Sequence, residues 1–489
     1  MKQYEKKDIK NDEIKNENEE KKNSTLQTYI ENYGCQMNLF DNEIVASLLL
    51  DKGFSITENL EKANIILINT CSIREKAEST LKNRLQNLKY LKKNKKNPPL
   101  FGILGCLSKQ IKKLDQENII DFSISPDSYR KISDIIIRLI NENKNQKKDS
   151  KIFSLHKENE TYSDITPYQF WNKNRKNKKV TAFLSITRGC DNMCTFCVVP
   201  FTRGRERSSD PNLILKECKI LYEKGYKEVT LLGQNVDSYL WGGRDFLKKQ
   251  ILKKENKNFI DFSILLDLLA KKIPSMRIRF STSNPHDMSE KVIEIISKHS
   301  NICNHIHLPV QSGSNKILKL MNRKYTRESY ISLIKKIREK IPECSISHDI
   351  MTGFCHENEK DHQETISLMN NIKYNYGYMF SYSHRPGTYA YRKFQDNVPE
   401  NVKKRRLKEI IHLQRTHSIF QMKKYIGKIQ EVLIEGESKK NHQDWWYGRN
   451  TQNIGVVFPK ESFIVGDLVH VQIINYTSST LIGRGIKIK

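Results

Sequence analysis

Three cysteines within eight residues are the feature of this sequence best suited to carry chemistry. Cys190, Cys194 and Cys197 form a C-x3-C-x2-C motif directly after a predicted strand. Iron–sulfur clusters are held by cysteine thiolates, usually four, so three local thiolates would leave one iron open to a small chelating ligand. Zinc sites favour paired C-x2-C knuckles with a fourth ligand nearby, and none is found here. The motif therefore favours an iron–sulfur cluster over a zinc site or three unrelated buried thiols.

A second set of three cysteines is dispersed in sequence but occupies equivalent positions. Cys35, Cys71 and Cys106 each follow a predicted strand directly, at separations of 36 and 35 residues. Ligands of open α/β sheets gather beyond the carboxyl ends of the strands, so these thiols are predicted to converge on a second cluster with an open iron. The alternative is separate burial, which we expect for the four remaining cysteines. These are Cys218, Cys303, Cys344 and Cys355.

The elements that must position these cysteines alternate between strand and helix, which predicts an α/β fold with parallel sheets. The predicted N-terminal strands are 26–33, 64–69 and 100–104, and a helix is expected to begin at Asp41 as its N-cap. Six further βα units follow, fewer than the eight of a closed TIM barrel. Their strands are predicted at 180–186, 227–233, 276–282, 304–310, 345–351 and 376–383. Short alternating strands with glycine turns end the chain and predict a small antiparallel β-barrel.

These patterns divide the 489 residues into five segments. The predicted segments are a disordered tail at 1–24, an N-terminal cluster-binding domain at 25–145, a linker at 146–178, a partial barrel at 179–418 and the small β-barrel at 419–487. The tail is assigned to disorder because residues 1–23 hold seven lysines and seven acidic residues with almost nothing apolar to bury.

Charge and hydropathy limit the location and the partners. The chain has 84 Lys and Arg against 56 Asp and Glu, a net charge of +28, which suits polyanionic partners. Residues 81–113 carry ten basic groups and no acid, residues 165–190 carry six and none, and residues 401–424 carry eight against one glutamate. Phosphate contacts are predicted there, with a solvated helix face as the alternative.

No apolar run approaches the ~20 residues of a membrane span, and no secretory signal is present, so we expect a cytoplasmic protein.

The cysteine pattern resembles known families. C-x3-C-x2-C is similar to the signature of radical S-adenosylmethionine (SAM) enzymes, and six βα units match the partial (β/α)6 barrel of that superfamily. With the N-terminal triad and the C-terminal barrel, the layout resembles the methylthiotransferases, which end in a TRAM domain. Several motifs look like the branch that modifies isopentenyladenosine in tRNA. They are YGCQMN (33–38), NTCSIREKAE (69–78), CVVPFTRGRERS (197–208), LLGQNV (231–236) and HLPVQSGSNKILKLMNRKYTRE (307–328).

This resemblance implies transfer of a methylthio group to C2 of N6-isopentenyl(dimethylallyl)adenosine next to the anticodon, with two SAM molecules and radical C–H activation. It implies two [4Fe–4S] clusters. Cys190, Cys194 and Cys197 would hold the SAM-chelating cluster, and Cys35, Cys71 and Cys106 the auxiliary one. SAM contacts are predicted at the carboxyl ends of barrel strands, at Gln234, Ser283 and Gln311, which are otherwise turn residues. RNA contacts are predicted at Arg203, Arg205, Trp446 and Arg449. The alternatives are a SAM contact or an ordinary surface role for the first two, and a place in the barrel core for the aromatic residue.

The implied partners are a tRNA anticodon loop carrying isopentenyladenosine, an electron donor such as flavodoxin or ferredoxin, and a sulfur donor with the iron–sulfur assembly machinery. The chain is expected to be a monomer with no membrane partner. Alternatives are methylthiolation of threonylcarbamoyladenosine in tRNA or of a ribosomal-protein aspartate, whose branch typically has Pro-Lys where this chain has Gln36-Met37. A further alternative is a non-catalytic zinc and RNA-binding protein. The family usually reads GFPGET where this chain has GFCHEN (353–358), so the resemblance does not assign that loop.

Overall fold

The computed structural model describes residues 25–71, 75–95, 97–111, 115, 118–144, 152–154, 160–168, 179–242, 259–438 and 444–486. The predicted disordered tail at 1–24 lies outside the described residues. Within them, no helix is both long enough and apolar enough to cross a membrane.

The N-terminal part is a six-stranded, wholly parallel sheet in the order β2-β1-β3-β4-β5-β6. Its strands are β1 Gln27–Tyr33, β2 Ser55–Ile56, β3 Ile65–Thr70, β4 Leu100–Gly105, β5 Phe122–Ile124 and β6 Ile152–Ser154. Its helices are α1 Gln36–Leu50, α2 Glu75–Asn94 and α3 Ile132–Lys144. Every residue of β3 and β4 is buried, as expected for central strands covered on both faces. The predicted parallel α/β architecture is confirmed.

Helix α1 joins this sheet to the rest of the molecule. It buries nine of its fifteen residues, because it packs between the N-terminal sheet and the first barrel strand. A helix buried on nearly all sides is a core helix. It begins at Gln36 with Cys35 at its N-cap position, so the prediction of Asp41 as N-cap is wrong. Asp41 lies inside the helix and is fully buried.

The interval predicted as a linker at 146–178 contributes to the N-terminal domain instead of only connecting it. Strand β6 lies within this interval and pairs with β5, and the Tyr162 side chain is buried with its hydroxyl donating to the carbonyl of Pro126 at 2.9 Å. The high Lys and Asn content of the interval hid these short ordered stretches in the sequence. The boundaries predicted for the domains stay predictions.

The central part is an open barrel of six parallel strands with helices outside, as predicted. Its strands form two parallel sheets, β7-β10-β13 and β14-β15-β16, joined by a bridge between Ile278 and Ile302. The six barrel strands are β7 Thr181–Ser185, β10 Glu228–Leu232, β13 Arg277–Ser281, β14 His305–His307, β15 Ser345–Thr352 and β16 Tyr376–Ser381. Two short antiparallel pairs complete the strands of this part, β8 Thr187–Arg188 with β9 Arg207–Ser208 and β11 Leu240–Trp241 with β12 Ile260–Asp261. The helices are α4 Val199–Thr202, α5 Pro211–Glu223, α6 Phe262–Lys272, α7 Glu290–Lys298, α8 Asn315–Leu320, α9 Arg327–Lys340, α10 Glu359–Ile372, α11 Tyr389–Lys393 and α12 Glu400–Lys423.

The C-terminal part is a closed five-stranded barrel in the order β17-β18-β19-β21-β20. Its strands are β17 Ile429–Glu437, β18 Trp445–Asn450, β19 Gly455–Pro459, β20 Leu468–Tyr476 and β21 Thr480–Ile486. The predicted small barrel is confirmed, except that β19 and β21 pair in parallel. This barrel contacts the amino-terminal ends of the central strands. There Arg277, the first residue of β13, donates to the carbonyl of Arg449 at 3.1 Å, and Asn453 donates to the Tyr376 hydroxyl at 2.7 Å.

Candidate functional site

The N-terminal cysteines lie at the carboxyl ends of three adjacent strands. Cys35 follows β1, Cys71 follows β3 and Cys106 follows β4, and these strands are neighbours in the sheet. Cys71 and Cys106 are buried and Cys35 is half-buried. The Cys71 thiol beside Cys35 and, more weakly, the Arg203 guanidinium lower the pKa of Cys35 to about 6. The structure therefore gathers thiols that the sequence separates, and it favours a thiolate among them.

A buried network of side-chain amides holds this edge of the sheet together. Asn38 donates to the Asn69 side-chain oxygen at 2.7 Å and to the Thr70 carbonyl at 3.0 Å, and Asn69 donates back to the Asn38 carbonyl at 3.1 Å. The Asn38 oxygen accepts from the Cys35 thiol at 3.3 Å. Because buried amides are costly when unpaired, this reciprocal bonding ties the loop of Cys35 to the loop of Cys71.

The barrel cysteines form one compact loop between β8 and α4. The Cys197 amide donates to the Cys194 carbonyl at 3.0 Å, and the Cys190 amide donates to the Gly204 carbonyl at 3.3 Å. Burial raises the pKa of Cys190 to about 11 and that of Cys197 to about 12. Arg323 donates to the Cys194 sulfur at 3.2 Å. This loop folds tightly because Gly189 adopts a φ of +78°, where an added Cβ would lie 2.1 Å from the Arg205 carbonyl oxygen.

The spacing of the sulfurs separates a cluster from a single zinc ion. In the described part of the chain, the one group of three His, Cys, Asp or Glu ligand atoms within 4.8 Å of one another is Glu359, His362 and Glu409. Neither cysteine triad meets this limit. Tetrahedral zinc with Zn–S bonds of about 2.3 Å needs its sulfurs about 3.8 Å apart, whereas an iron–sulfur cluster takes thiolates on separate irons. Neither triad is therefore arranged in this structure as the close-set ligands of one ion.

The four cysteines predicted to be packing residues are all buried. Cys355, in the GFCHEN loop, has no exposed surface and lies in an apolar cluster with Phe354, Tyr382 and Ala390. Glu357 of the same loop accepts from Arg406 at 2.9 Å and from the Gly353 amide at 2.9 Å. This loop is therefore held by core packing and a buried ion pair, and Cys355 is a core side chain.

Comparison with known proteins agrees with this architecture. Three family models match, namely the radical SAM superfamily at 184–369, an uncharacterized protein family (UPF0004) at 27–124 and the TRAM domain at 423–486. A tRNA-2-methylthio-N(6)-dimethylallyladenosine synthase of Karelsulcia muelleri is 57% identical over 456 residues, which cover 93% of this chain and 98% of the relative. The protein of that name from Christiangramia forsetii is 52% identical, with 96% and 95% covered. The chain belongs to this synthase family.

Solved structures support the fold. A radical SAM methyltransferase, TsrM from Kitasatospora setae, solved with cobalamin and a [4Fe–4S] cluster, superposes with a TM-score of 0.52 at 11% identity, covering 75% of this chain and 77% of that one. A cobalamin-dependent radical SAM enzyme, OxsB, gives 0.51 at 13% identity, covering 80% of this chain and 56% of its own. At this identity the likeness concerns the fold alone.

Membership of the synthase family implies SAM and [4Fe–4S] clusters as cofactors, and the donor set fits them. Each triad offers three thiols and no fourth cysteine, since the other four are buried in packing. Arg203 supplies a further sign of fit. Its guanidinium interacts electrostatically with Cys35 and Cys106. The Nη1 of that guanidinium is buried and has no hydrogen-bond partner among the described residues, so a cluster sulfur could accept from it.

The three residues predicted to contact SAM all lie beyond the carboxyl ends of barrel strands. Gln234 follows β10, and its side-chain oxygen accepts from the Gly189 amide at 2.6 Å, so it braces the cysteine loop. Ser283 follows β13 and is buried. Gln311 follows β14 with a φ of +70°, and its amide donates to the Asp349 carbonyl at 2.9 Å. Contact of these three side chains with SAM stays a prediction.

Two of the arginines predicted to contact RNA have other roles. Arg203 is only 3% exposed and pairs with Asp41 at 2.8 Å, so no phosphate reaches it. Arg449 pairs with Glu435 at 2.5 Å and with Glu228 at 3.1 Å, where it joins the C-terminal barrel to the central one. RNA contact is the wrong assignment for Arg203, because its side chain is buried, whereas contact of the part-exposed Arg449 with RNA stays a prediction.

The other two RNA candidates stay predictions. The Arg205 side chain is 71% exposed, and its nearest partner, Asp191, is 3.6 Å away, which leaves it open to a phosphate. Trp446 is half-buried against the core of the C-terminal barrel, with the Lys460 ammonium 4.7 Å from its ring centroid. One face of that ring is therefore already in contact with a cation.

Part of the basic stretch at 401–424 is also neutralised internally. Lys403 and Arg406 are buried and pair with Asp396 at 2.7 Å and Glu357 at 2.9 Å. The exposed cations of this helix are those on its outer face. They are Lys404, Lys408, Arg415 and Lys423, together with Arg405, which is exposed but already pairs with Glu359 at 2.6 Å and Glu409 at 2.7 Å. The prediction of phosphate contacts is thus limited to these outward residues.

Sequence reasoning missed the residues that support the cysteines. Asp41, Arg188 and Arg323 carry the charges of the site, and Asn38 with Asn69 carries its amide network. The one signal for them was proximity, because Asn38 and Asn69 lie within three residues of a cysteine and Arg188 lies two before Cys190. Nothing in the sequence placed Arg323 at Cys194.

Proposed function

We propose that this chain transfers a methylthio group to C2 of N6-isopentenyl(dimethylallyl)adenosine next to the anticodon of tRNA. The observation that carries the proposal is that one thiol triad gathers at the edge of the N-terminal sheet and a second lies in one barrel loop, whose flanking arginines, Arg188 and Arg203, both pair with the buried Asp41. The chain has this arrangement together with nearly full-length similarity to synthases named for that reaction.

The chemistry explains the need for two metal centres. The C2–H bond of adenine is aromatic and unactivated, so general acid–base catalysis at ordinary pKa values is a poor route to it. When bound, the barrel cluster with SAM supplies a carbon radical for this bond, and the auxiliary cluster supplies the sulfur. The chain contributes position, exclusion of water and charge around these groups.

Support for the ligand assignment comes from the geometry. Cys190, Cys194 and Cys197 would hold the SAM-binding cluster, and Gln234 braces their loop through Gly189. Cys35, Cys71 and Cys106 would hold the auxiliary cluster at the sheet edge. SAM would lie toward Ser283 and Gln311, because ligands of (β/α) barrels bind at the carboxyl ends of the strands. The opposite end is covered by the C-terminal barrel through Arg277 and Arg449.

The domains would divide the work. The N-terminal domain (25–145) would carry the sulfur-bearing cluster, the barrel (179–418) the radical chemistry, and the C-terminal domain (419–487) tRNA contacts. A low-potential electron donor of the flavodoxin or ferredoxin class and an iron–sulfur assembly system would serve the chain, which would act as a cytoplasmic monomer. Arg205 and the outward cations of α12 are the candidates for phosphate contacts, which should weaken as salt rises.

The test is a reconstitution under anaerobic conditions with SAM, a chemical reductant and three substrates. These are tRNA with isopentenyladenosine, the same tRNA without the isopentenyl group, and tRNA with threonylcarbamoyladenosine. Nucleoside mass spectrometry should find the methylthio product with the first alone. Product with the threonylcarbamoyl tRNA, or methylthiolation of a ribosomal protein in a parallel reaction, would replace the proposal. A colourless zinc protein without product would contradict it altogether.

A further inference from the structure

Asp41 is the most deeply buried charge near the two triads. Its side chain has no exposed surface and accepts from Arg188 at 2.7 Å and from Arg203 at 2.8 Å. Arg188 and Arg203 are 1% and 3% exposed. Removing three charges from water is costly unless each is paired with good geometry. Such a network persists only if the contact between the two domains is specific.

The two arginines flank the barrel cysteine loop along the chain. Arg188 lies two residues before Cys190, and Arg203 lies six residues after Cys197. Asp41 lies six residues after Cys35, on the helix that begins beside that thiol. One carboxylate therefore holds both ends of the barrel loop against the helix that carries the first auxiliary ligand.

Arg188 reinforces this attachment on the N-terminal side. Its guanidinium lies 4.9 Å from the centroid of the Tyr162 ring, and its Nη2 is 3.4 Å from the Pro126 carbonyl. Tyr129 reaches the same carboxylate, with its hydroxyl 3.5 Å from Asp41. The partners of Arg188 are Asp41, Pro126 and Tyr162, which all belong to the N-terminal part, so its contact with that part is polar, buried and directional.

Arg203 extends from the carboxylate to the N-terminal triad. Its Nη2 also donates to the Asn38 oxygen at 3.1 Å, the same atom that accepts from the Cys35 thiol at 3.3 Å. Cys35 and Cys106 both interact electrostatically with its guanidinium and raise its pKa. Its Nη1 is buried with no acceptor among the described residues. A buried donor without a partner is costly, and a sulfur at the triad would satisfy it.

We propose that Asp41 and Arg203 are positioning residues of the methylthio-transfer site. Asp41 sets the distance between the two cysteine triads, and Arg203 donates its Nη1–H, which has no acceptor among the described residues, to a sulfur held at Cys35, Cys71 and Cys106. This inference rests on the proposed function for its role in transfer. Hydrogen bonds to cluster sulfurs tune the reduction potential, and the transfer step depends on reactants held at a fixed separation.

The molecule offers a matched control at its other domain boundary. Glu228 is likewise fully buried and pairs with two arginines, Arg279 at 2.8 Å and Arg449 at 3.1 Å. This carboxylate joins the central barrel to the C-terminal one and contacts no residue of either triad. Glu228→Gln therefore measures the effect on the enzyme of losing a buried carboxylate that pairs with two arginines away from the triads.

The first experiment measures the auxiliary centre alone. In a chain with Cys190, Cys194 and Cys197 replaced by alanine, the reconstituted N-terminal cluster is titrated with reductant and followed by electron paramagnetic resonance. Arg203→Gln should lower its midpoint potential, because a nearby positive charge and a donor are lost, and Arg203→Lys should restore part of the shift. An unchanged potential in Arg203→Gln at full iron content would overturn the role of Arg203. If Arg203→Gln loses iron, the midpoint potential of Arg203→Lys is compared with that of the parent chain. A smaller lowering is then expected, and an unchanged potential would overturn the role of Arg203.

The second experiment measures coupling in the complete enzyme. Asp41→Asn should raise the ratio of SAM cleaved to methylthio product about tenfold. A displacement of reacting groups by about 1 Å can lower a rate by about 10²-fold, and a smaller displacement is expected here. Glu228→Gln should leave that ratio unchanged. Equal ratios in the two variants, or loss of SAM cleavage in Asp41→Asn at full iron content, would overturn the role of Asp41. If the unaltered enzyme makes no methylthio product, the proposed function fails, while the potential measured at Arg203 still stands.

Discussion

The two cysteine triads solve the same binding problem by different means. The barrel triad is local, because eight consecutive residues bring its thiols together through backbone hydrogen bonds and one glycine with positive φ. The N-terminal triad is assembled from three strand ends and depends on side-chain amides from distant positions, such as Asn38 and Asn69. A local loop keeps its shape through the backbone, whereas a dispersed site is only as stable as the sheet beneath it.

The two triads differ in electrostatics as well. Cys35 has a pKa lowered to about 6 by the neighbouring Cys71 thiol, whereas burial raises the pKa of Cys190 to about 11. An arginine lies at each triad, the buried Arg203 beside the first and the half-buried Arg323 on the second. Because metal binding requires deprotonated thiols, binding of iron by Cys35 should depend less on pH than binding by Cys190 and Cys197.

The largest difference is expected when one triad is destroyed at a time. Cys35→Ala and Cys190→Ala should each remove methylthio product and lower the iron content from about eight to about four per chain. Only Cys190→Ala should abolish SAM cleavage, since that cysteine belongs to the SAM-binding set. Iron analysis and assays of 5′-deoxyadenosine and product test this. Cys355→Ala is the control and should keep about eight irons, and loss of SAM cleavage in Cys35→Ala would remove the division of labour.

A smaller difference is expected in the reactivity of the iron-free thiols. The thiolate is the nucleophile, and a thiol deprotonates as pH rises past its pKa. At pH 7 Cys35, with a pKa of about 6, is mostly thiolate, so its alkylation by iodoacetamide should change little between pH 7 and 9. Alkylation of Cys190 and Cys197 should rise about tenfold per pH unit, because the assay pH lies far below the pKa values of both thiols.

The rate at pH 7 should favour Cys35 over Cys190 by about 10²-fold, since its larger thiolate fraction is offset in part by lower intrinsic nucleophilicity. Peptide mass spectrometry after timed labelling gives these rates. Cys218, which is completely buried, is the internal control and should stay unlabelled while the chain is folded. The same pH dependence at Cys35 and Cys190 would mean that the two triads share one electrostatic environment.

The smallest effect concerns the supports of the two triads. Asn38→Ala should lower the free energy of unfolding of the N-terminal domain by about 2–3 kcal/mol, because it leaves buried partners unpaired. Asn192→Ala in the barrel loop should lower the free energy of unfolding by less than about 1 kcal/mol, since it removes one part-buried hydrogen bond of 3.3 Å to Asp287. Hydrogen exchange resolved by domain measures both, because a chain of this size does not unfold in two states. Equal costs would contradict the contrast between a dispersed and a local site.

Much of the fold was accessible from sequence. Runs such as Ile65-Ile66-Leu67-Ile68 predicted buried parallel strands, and all six barrel strands lie where alternation placed them. The failures have physical causes. Asp41 looked like a helix cap because Asp is favoured there, but the helix begins five residues earlier. Strand β6 was missed because three residues within a Lys and Asn-rich interval carry too little pattern.

The sequence by itself determined which residues can bind sulfur and iron, and where along the chain they lie. The C-x3-C-x2-C spacing is local, and cysteines after successive parallel strands must meet at one edge of a sheet. Only the tertiary structure decided what the charges do. Arg203 and Arg449 look like RNA-binding residues in the sequence, yet both are held by buried carboxylates at domain boundaries. The physical reason is that the fate of a charge depends on which surfaces meet and exclude water, and long-range packing alone sets that.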